Sequence, residues 1–288
     1  MLPDFYLMKS IFQQRIRTWS PRTWCLRSWI QIAMLLCVLQ PCAQADPTPV
    51  RLVQGTLHGF LELRDEGGRV VASGDMVQVV HGDRVTEQMF FRFKDGSTDD
   101  ETTVFSQHRT LQLITDHRVQ KGPAFPHPMD VMIDAHSGQV TVRSTGKDGK
   151  EEVKTDHVDL PPDLANGIIP LVVENMRSDE PETTVSMLVF APKPRVVKLV
   201  ISKSGEGDFS LGGSPRKAVH YEIKIDLGGV AGVVAPLIGK APPDIQMWTV
   251  GGQAPVFVRE QGPLYADGPM MTIQLVSPVW LESPKSGN

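Results

Sequence analysis

The sequence predicts a mainly β fold: a curved antiparallel sheet or partly open β-barrel of about a dozen strands, with one or two short helices. Two observations lead to this prediction. Short apolar runs alternate with charged residues and end at turn residues, and the 288 residues include 25 glycines and 23 prolines, which suits a chain of tight turns. No fixed-period repeat is present, so solenoids and propellers are not indicated.

The first half of the mature chain is predicted to form hairpins. Apolar-rich runs cover residues 56–64, 69–80 and 84–94, and turns containing Gly82 or Gly96 follow two of them. Glycine takes the positive φ that tight hairpin turns require, so these positions are typical of strand connections. After the proline-rich residues 122–128, alternating valines and isoleucines continue the pattern.

The last third is also predicted to form strands, after a short helical passage. Between residues 160 and 176 the apolar residues have mixed spacing, which favours one or two helical turns, and we expect Pro170 to limit their continuity. Further on, Tyr221, Ile223 and Ile225 alternate with charged neighbours, so one face of this strand is expected to be dry and the other wet.

The first 45 residues are typical of an export signal. Basic residues come first, an apolar run of about ten residues follows from Ile30, and Ala43-Gln44-Ala45 fits a small-x-small cleavage pattern. The run is shorter than the roughly 20 residues that span a bilayer. We therefore expect residues 1–45 to be a signal peptide, with translation starting at Met1 or Met8. Residues 46–288 would form a single β-rich exported domain, with a possible subdivision near 160–180.

Removal of this leader would change both cysteine content and charge. All three cysteines precede residue 46, so disulfides, cysteine metal sites and thiol catalysis would be excluded from the mature chain. Five of the 29 basic and one of the 33 acidic residues also lie there, which leaves a net charge of about −8. Such a charge repels phosphate backbones, so nucleic acid is not an expected partner. We expect a periplasmic or secreted protein with no transmembrane span after signal cleavage.

No catalytic motif is apparent. The chain has no Gly-x-Ser-x-Gly elbow, phosphate loop, dinucleotide fingerprint or paired-histidine zinc motif. Three weaker patterns fit either a functional role or a simple surface role: a metal group, a calcium loop and a histidine base. They comprise His127 with Asp130, Asp134 and His136; the acidic residues 95–101; and Asp156-His157-x-Asp159. In each case a solvated turn or strand end is favoured, so we expect no catalytic residue, metal or cofactor.

The uncharged stretch from Gly228 to Gly239 is the most unusual feature of the mature chain. A buried connection would explain it, and so would a mobile flap over a hydrophobic cavity. If a cavity exists, its candidate lining residues are Phe91, Phe93, Val230, Val233, Val234, Leu237 and Trp248.

Several segments resemble those of uncharacterised exported proteins of soil bacteria, particularly acidobacteria. These are His220–Gly229, Ile238–Asp244 with Trp248, and Phe93–Ser97 with Phe105-Ser106-Gln107. In layout the chain is also similar, over most of residues 50–280, to the family called domain of unknown function 3108. The resemblance implies a periplasmic curved antiparallel sheet akin to the lipoprotein-carrier fold, and it carries over no catalytic residue.

Three functions are therefore open. The leading hypothesis is a non-enzymatic envelope protein that binds a hydrophobic or lipid-like small molecule, or an envelope protein partner, in a concave β face. The second is a secreted hydrolase of polysaccharide or cell-wall polymer, whose acid pair sequence alone does not locate. The third is a structural or interaction module that adds strands along a free sheet edge. A closed apolar pocket, an open cleft with facing carboxylates, or a solid core with a bare edge would distinguish them.

Overall fold

A computed structural model describes residues 46–145, 150–190, 193–211, 214–226 and 243–277. They form fourteen strands and one helix. The strands are β1 (Leu57–Arg64), β2 (Val70–His81), β3 (Arg84–Phe93), β4 (Thr98–Ser106), β5 (Gln112–Lys121), β6 (Met129–Asp134), β7 (Gln139–Thr145), β8 (Glu151–His157), β9 (Glu182–Val189), β10 (Arg195–Leu211), β11 (Ser214–Asp226), β12 (Ile245–Val250), β13 (Val256–Pro263) and β14 (Met270–Val276), and the helix α1 (Ile169–Asn175) lies between β8 and β9. The predicted signal peptide falls outside the described residues.

All fourteen strands belong to one curved, open, antiparallel sheet. Strands β1 to β8 follow one another in order, as do β9 to β14, and pairing of β1 with β14 joins the two runs. The predicted fold class is therefore confirmed. The order leaves β8 and β9 as the two edge strands of the sheet.

The hairpin turns follow the sequence prediction. Gly82 and Gly96 have φ values of 61° and 86°, which residues with a Cβ rarely adopt. The expected alternation on β11 is also confirmed, because Tyr221 and Ile223 are buried whereas Lys224 is exposed.

The concave face of the sheet packs against α1. This face carries Leu199 and Ile201 on β10, which are fully buried, and the helix adds Val172 and Val173. Pro170 does not interrupt the helix, as the sequence suggested, but occupies its first turn. There the missing N–H has no intrahelical partner to lose.

The turn before α1 lies directly on the sheet. Gly167 has a φ of 68°, and a Cβ at this position would overlap the Thr103 side chain on β4. Leu164 packs between Val131 and Ile133 of β6 and Leu188 of β9, so the connection from β8 to α1 joins the two ends of the sheet through apolar contacts.

The two edge strands differ in how they are covered. The β9 edge is hydrogen-bonded to the connection: Ala165 N donates to Ser186 O at 2.8 Å, and Leu188 N donates to Asn166 Oδ1 at 2.8 Å. On β8, all seven residues are exposed. Among the described residues, no helix has both the length and the apolarity needed to cross a bilayer.

Candidate ligand-binding site

The concave face carries a group of carboxyl side chains where apolar ones would be expected. On β3, Glu87 follows the same alternation as the buried Val85 and Phe91. Cross-strand pairing places it between Gln78 on β2 and Thr103 on β4. The interior acidic cluster consists of this residue and five others: Glu87, Asp99, Glu101, Asp116, Glu174 and Glu260.

A β-bulge brings β5 into the cluster. Thr103 pairs with Asp116, but after the shift between Val104 and Phe105 the partner of Phe105 is Leu113. Asp116 and Leu113 are separated by an odd number of residues, so a regular strand would place them on opposite faces. Because of the bulge, both are buried on the concave face.

Arg118 is the cation at the centre of the cluster. Its Nε and Nη2 atoms donate to the two carboxylate oxygens of Asp99 at 3.0 and 2.8 Å. Its Nη1 atom lies 4.0 Å from Glu101 Oε2. Burial acts to lower the pKa of Arg118, but the charges of Glu101 and Asp99 raise it above its usual value. Since Arg118 is committed mainly to Asp99, it neutralises only part of the cluster.

Glu87 is the least satisfied member. Glu87 is only 8% exposed, and no hydrogen-bond donor to its carboxyl group is found among the described residues. Burial raises its pKa to about 8, and the charges of Glu174 and Glu101 add to the increase. A buried carboxylate without donors is costly, so this position weakens the fold when it is ionised.

Asp116 and Glu101 are perturbed in the same direction. Burial, followed by the charge of Glu101, raises the pKa of Asp116 to about 8, although the Thr103 hydroxyl donates to it at 3.0 Å. Burial also raises the pKa of Glu101, against the opposing charge of Arg118. The Glu101 and Arg118 side chains are 20% and 27% exposed, so solvent still reaches them.

The helix and β13 supply the remaining two carboxyls. Glu174 on α1 accepts hydrogen bonds from Phe257 N at 2.7 Å and from Gln54 Nε2 at 3.2 Å. Burial nevertheless raises its pKa to about 7. Burial likewise raises the pKa of Glu260 to about 7, with Arg118 opposing the shift and Glu101 adding to it. Three separate parts of the fold therefore bring acids to one region.

The strand ends beside the cluster are covered by other parts of the chain. On one side, Gln120 Nε2 donates to Leu264 O at 3.0 Å, and Phe125 makes edge-on contacts with Phe93 and Tyr265 at centroid distances of 5.3 and 5.9 Å. The other side is covered by the segment that precedes β1.

That segment is tied to the sheet by glutamine side chains. Gln54 N donates to Gln107 Oε1 at 2.7 Å, and Gln78 Nε2 donates to Gly55 O at the same distance. A ligand entering from this side would have to displace these contacts.

Apolar side chains adjoin the acids. Met76 and Met89 are cross-strand partners on the concave face, and Met89 is also paired with Glu101. Both methionines are only partly buried. Methionine is flexible and adapts to irregular apolar groups, so the surface beside the carboxyls suits an aliphatic chain.

The sequence-predicted lining residues are divided by the structure. Phe91 and Phe93 lie in the core on the concave face and are 2% and 7% exposed. Trp248 lies on the opposite face, stacked on His220 at a centroid distance of 4.6 Å, with Arg259 5.6 Å from its ring. The other four, Val230, Val233, Val234 and Leu237, and the rest of Gly228–Gly239 fall outside the described residues.

The weaker sequence patterns have structural roles. Asp130 contacts His117 Nε2 at 3.0 Å and Arg143 at 3.4 Å, and Asp134 accepts hydrogen bonds from two backbone N–H groups of the following turn. Asp95 accepts a bond from Ser97 N at 2.9 Å. Within the described parts of the chain, no group of three or more His, Cys, Asp or Glu side chains could hold a metal ion.

His157 lines a small cleft of about 310 Å³ beside the edge strand, together with Ser137, Gln139, Thr155 and Asp156. This cleft is separate from the interior acidic cluster and lacks its uncompensated carboxyls. A histidine base would still need a nucleophile placed within hydrogen-bonding reach.

Comparisons with known proteins give only distant likenesses. No protein family and no curated protein matches the chain. Among solved structures, a β-barrel-like protein of the domain of unknown function DUF1849 from Brucella abortus has 12% identity and a TM-score of 0.43, covering 79% of this chain and 98% of that one. The hypothetical lipoprotein YmcC from Escherichia coli has 12% identity and a TM-score of 0.35, covering 78% and 86%.

With both scores under 0.5, these likenesses carry no conclusion about function. They give no support to the resemblance to the domain of unknown function 3108 family. The functional argument therefore starts from the described side chains.

Proposed function

We propose that this chain is an exported, non-enzymatic envelope protein that binds an organic cation with an apolar tail at the interior acidic cluster. The observation that carries the proposal is Glu87, a residue that is 8% exposed and whose carboxyl group has no hydrogen-bond donor among the described residues. A cationic group placed beside it would supply the missing interaction.

The charge balance of the cluster supports a cation rather than an anion. Arg118 interacts with four of the six carboxyls, those of Asp99, Glu101, Asp116 and Glu260, and it is already hydrogen-bonded to Asp99. A fatty acid or a phospholipid phosphate would add negative charge to this region and be repelled. The general expectation of a lipid-like ligand is thereby narrowed to ligands with a basic head group.

The neighbouring methionines support an apolar portion of the ligand. Met76 and Met89 offer partly exposed aliphatic surface next to Glu101. Burying each methylene group of a ligand against such surface contributes about 0.8 kcal/mol. An alkylammonium ion is a minimal ligand that combines a cationic group with an apolar chain.

Raised carboxyl pKa values would also suit proton transfer in a hydrolase. A polymer substrate, however, needs an open groove, and the described residues cover both sides of the cluster through Leu264 and the segment around Gln54. The observations therefore favour a small ligand over a polymer.

The test compares three ligands of equal chain length by titration calorimetry at pH 8: octylammonium, octanol and octanoate. We expect octylammonium to bind at least about tenfold more tightly than octanol, because ionised carboxyls contribute a charge-assisted interaction. Octanoate should show no detectable binding. Equal affinity for octanoate and octylammonium would refute the proposal.

A pair of variants locates the site. Glu87→Gln should weaken octylammonium binding by about tenfold, which is the effect of losing one charged hydrogen-bonding partner. The matched control is Glu152→Gln on the exposed strand β8, which should leave the affinity unchanged. Equal effects of the two changes would indicate non-specific attraction to an acidic surface.

A further inference from the structure

The β8 edge of the sheet has a sequence pattern that fits a second copy of this chain. Strand β8 pairs with β7 along one side, and the described residues include no strand on its other side. Its sequence, Glu-Glu-Val-Lys-Thr-Asp-His, places an apolar residue between charges of both signs. Val153 is 56% exposed, one of the most exposed large apolar residues described.

Geometry restricts how two β8 strands can pair. In an antiparallel pair, only alternate residues point their backbone N–H and C=O groups toward the partner. When two identical edges pair, residues that face each other must therefore have the same backbone orientation. This is possible only in registers where the two-fold axis passes midway between one residue and the same residue of the other copy. The axis is perpendicular to the sheet, and facing side chains then lie on the same face of both copies.

Charge distinguishes among these registers. With the axis at Val153, Glu152 faces Lys154 and Lys150 faces Asp156, each twice because of the symmetry. All four pairs are of opposite charge and the central pair is apolar. Opposite charges directly across a strand pair stabilise it.

The adjacent registers are less favourable. With the axis at Lys154, this residue faces its own copy and Glu152 faces Asp156, so like charges meet at three positions. With the axis at Glu152, two glutamates meet at the centre and Lys150 faces Lys154. Like charges directly opposite are destabilising.

We infer that two copies of the chain associate through β8 in the register that places Val153 on the two-fold axis. The same charges that disfavour pairing with unrelated strands, as is common on sheet edges, favour this self-complementary alignment over the two adjacent ones. A seven-residue edge buries less surface than a standard interface, so the dimer is weak and forms at micromolar to millimolar concentration.

Sedimentation velocity tests the charge pattern with the purified full chain at up to about 500 µM and low salt, where weak edge interfaces are populated. Lys154→Glu should weaken dimerisation by at least about tenfold, because two attractive pairs become repulsive. Combining Glu152→Lys with Lys154→Glu should restore it. The control is Lys217→Glu at the exposed Lys217–Asp208 pair on β10 and β11.

A wild-type chain that stays monomeric over this range would overturn the inference. So would a dimer that Lys154→Glu leaves unchanged or that the double exchange fails to restore.

Disulfide trapping tests the register itself, in a background where Cys25, Cys37 and Cys42 are replaced by serine. Val153→Cys should form a cross-linked dimer on mild oxidation, because the two substituted side chains lie directly opposite each other. Thr155→Cys is the matched control, since in this register Thr155 faces Glu151. Equal cross-linking at both positions, or faster cross-linking at Thr155→Cys, would overturn the register.

Discussion

The concave face contains two regions that share the same alternation of side chains but differ in polarity. On β10 and β11, Leu199, Ile201 and Ile223 are fully buried in the cluster that includes α1. On β3 and β5, the corresponding inward positions include Glu87 and Asp116. Both regions are shielded from solvent, yet only the first gains free energy from being so.

This difference distinguishes side chains that stabilise the fold from side chains that do not. Burying aliphatic groups stabilises a sheet, whereas burying carboxyls costs free energy unless donors or cations satisfy them. Since one arginine does not neutralise six carboxyls, the acidic region is not explained by stability. Perturbed carboxyls of this kind are common at functional sites, which is why we place ligand binding there.

The largest predicted effect concerns the apolar region. Leu199→Ala should lower the free energy of unfolding by about 4 kcal/mol, because a fully buried leucine leaves a cavity when it is shortened. Urea denaturation followed by circular dichroism measures this change. The control is the exposed Val153→Ala, which should change stability by less than about 0.5 kcal/mol.

The acidic region should make stability depend on pH. Glu87, Glu174 and Glu260 have pKa values of about 7 to 8 in the folded chain but near 4.5 when unfolded, so the folded chain binds more protons between pH 4.5 and 8. Stability is therefore fully present below about pH 4.5 and falls as the pH rises through this window. Urea denaturation without ligand should show a loss of about 3 kcal/mol between pH 5 and pH 8. Constant or rising stability across this range would contradict our description of the region.

Replacing the least satisfied carboxyl should have a smaller effect of opposite sign. Glu87→Gln should raise the free energy of unfolding by about 2 kcal/mol at pH 8, because a neutral amide avoids the cost of burying charge. At pH 5 the gain should be less than about 1 kcal/mol, since Glu87 is then protonated when folded. Denaturation curves at both pH values measure the difference. A destabilising effect at pH 8 would mean that Glu87 is held by favourable contacts.

Most of the fold could be predicted from the sequence because it depends on local patterns. Alternation defined the strands, and glycines such as Gly82 and Gly96 marked turns that need positive φ. The helix was only partly predicted: its location was correct, but Pro170 belongs to its first turn rather than interrupting it. Asp163, which precedes the helix in the same passage, accepts hydrogen bonds from Ser186 and Lys198.

The acidic site could not be predicted to the same degree, because it depends on register. A signal was present in β3, where Glu87 shares the alternation of Val85 and Phe91. The position of Asp116 on the same face depends on a β-bulge, and the electrostatic interaction of Glu87 with Glu174 depends on where α1 packs. Neither arrangement follows from residue spacing alone. The sequence could therefore indicate a polar residue on an apolar face, but not a cluster of such residues.

The most direct test of cation binding in the interior is to count the protons released by the ligand. Octylammonium titrations at pH 7, in buffers of different ionisation enthalpy, give this number. Since the pKa values of Glu87 and Glu260 are about 8 and about 7, binding a cation beside them should favour their ionised forms and release about one proton per ligand. Binding without proton release would place the ligand on surface carboxylates that are already ionised and would contradict the account.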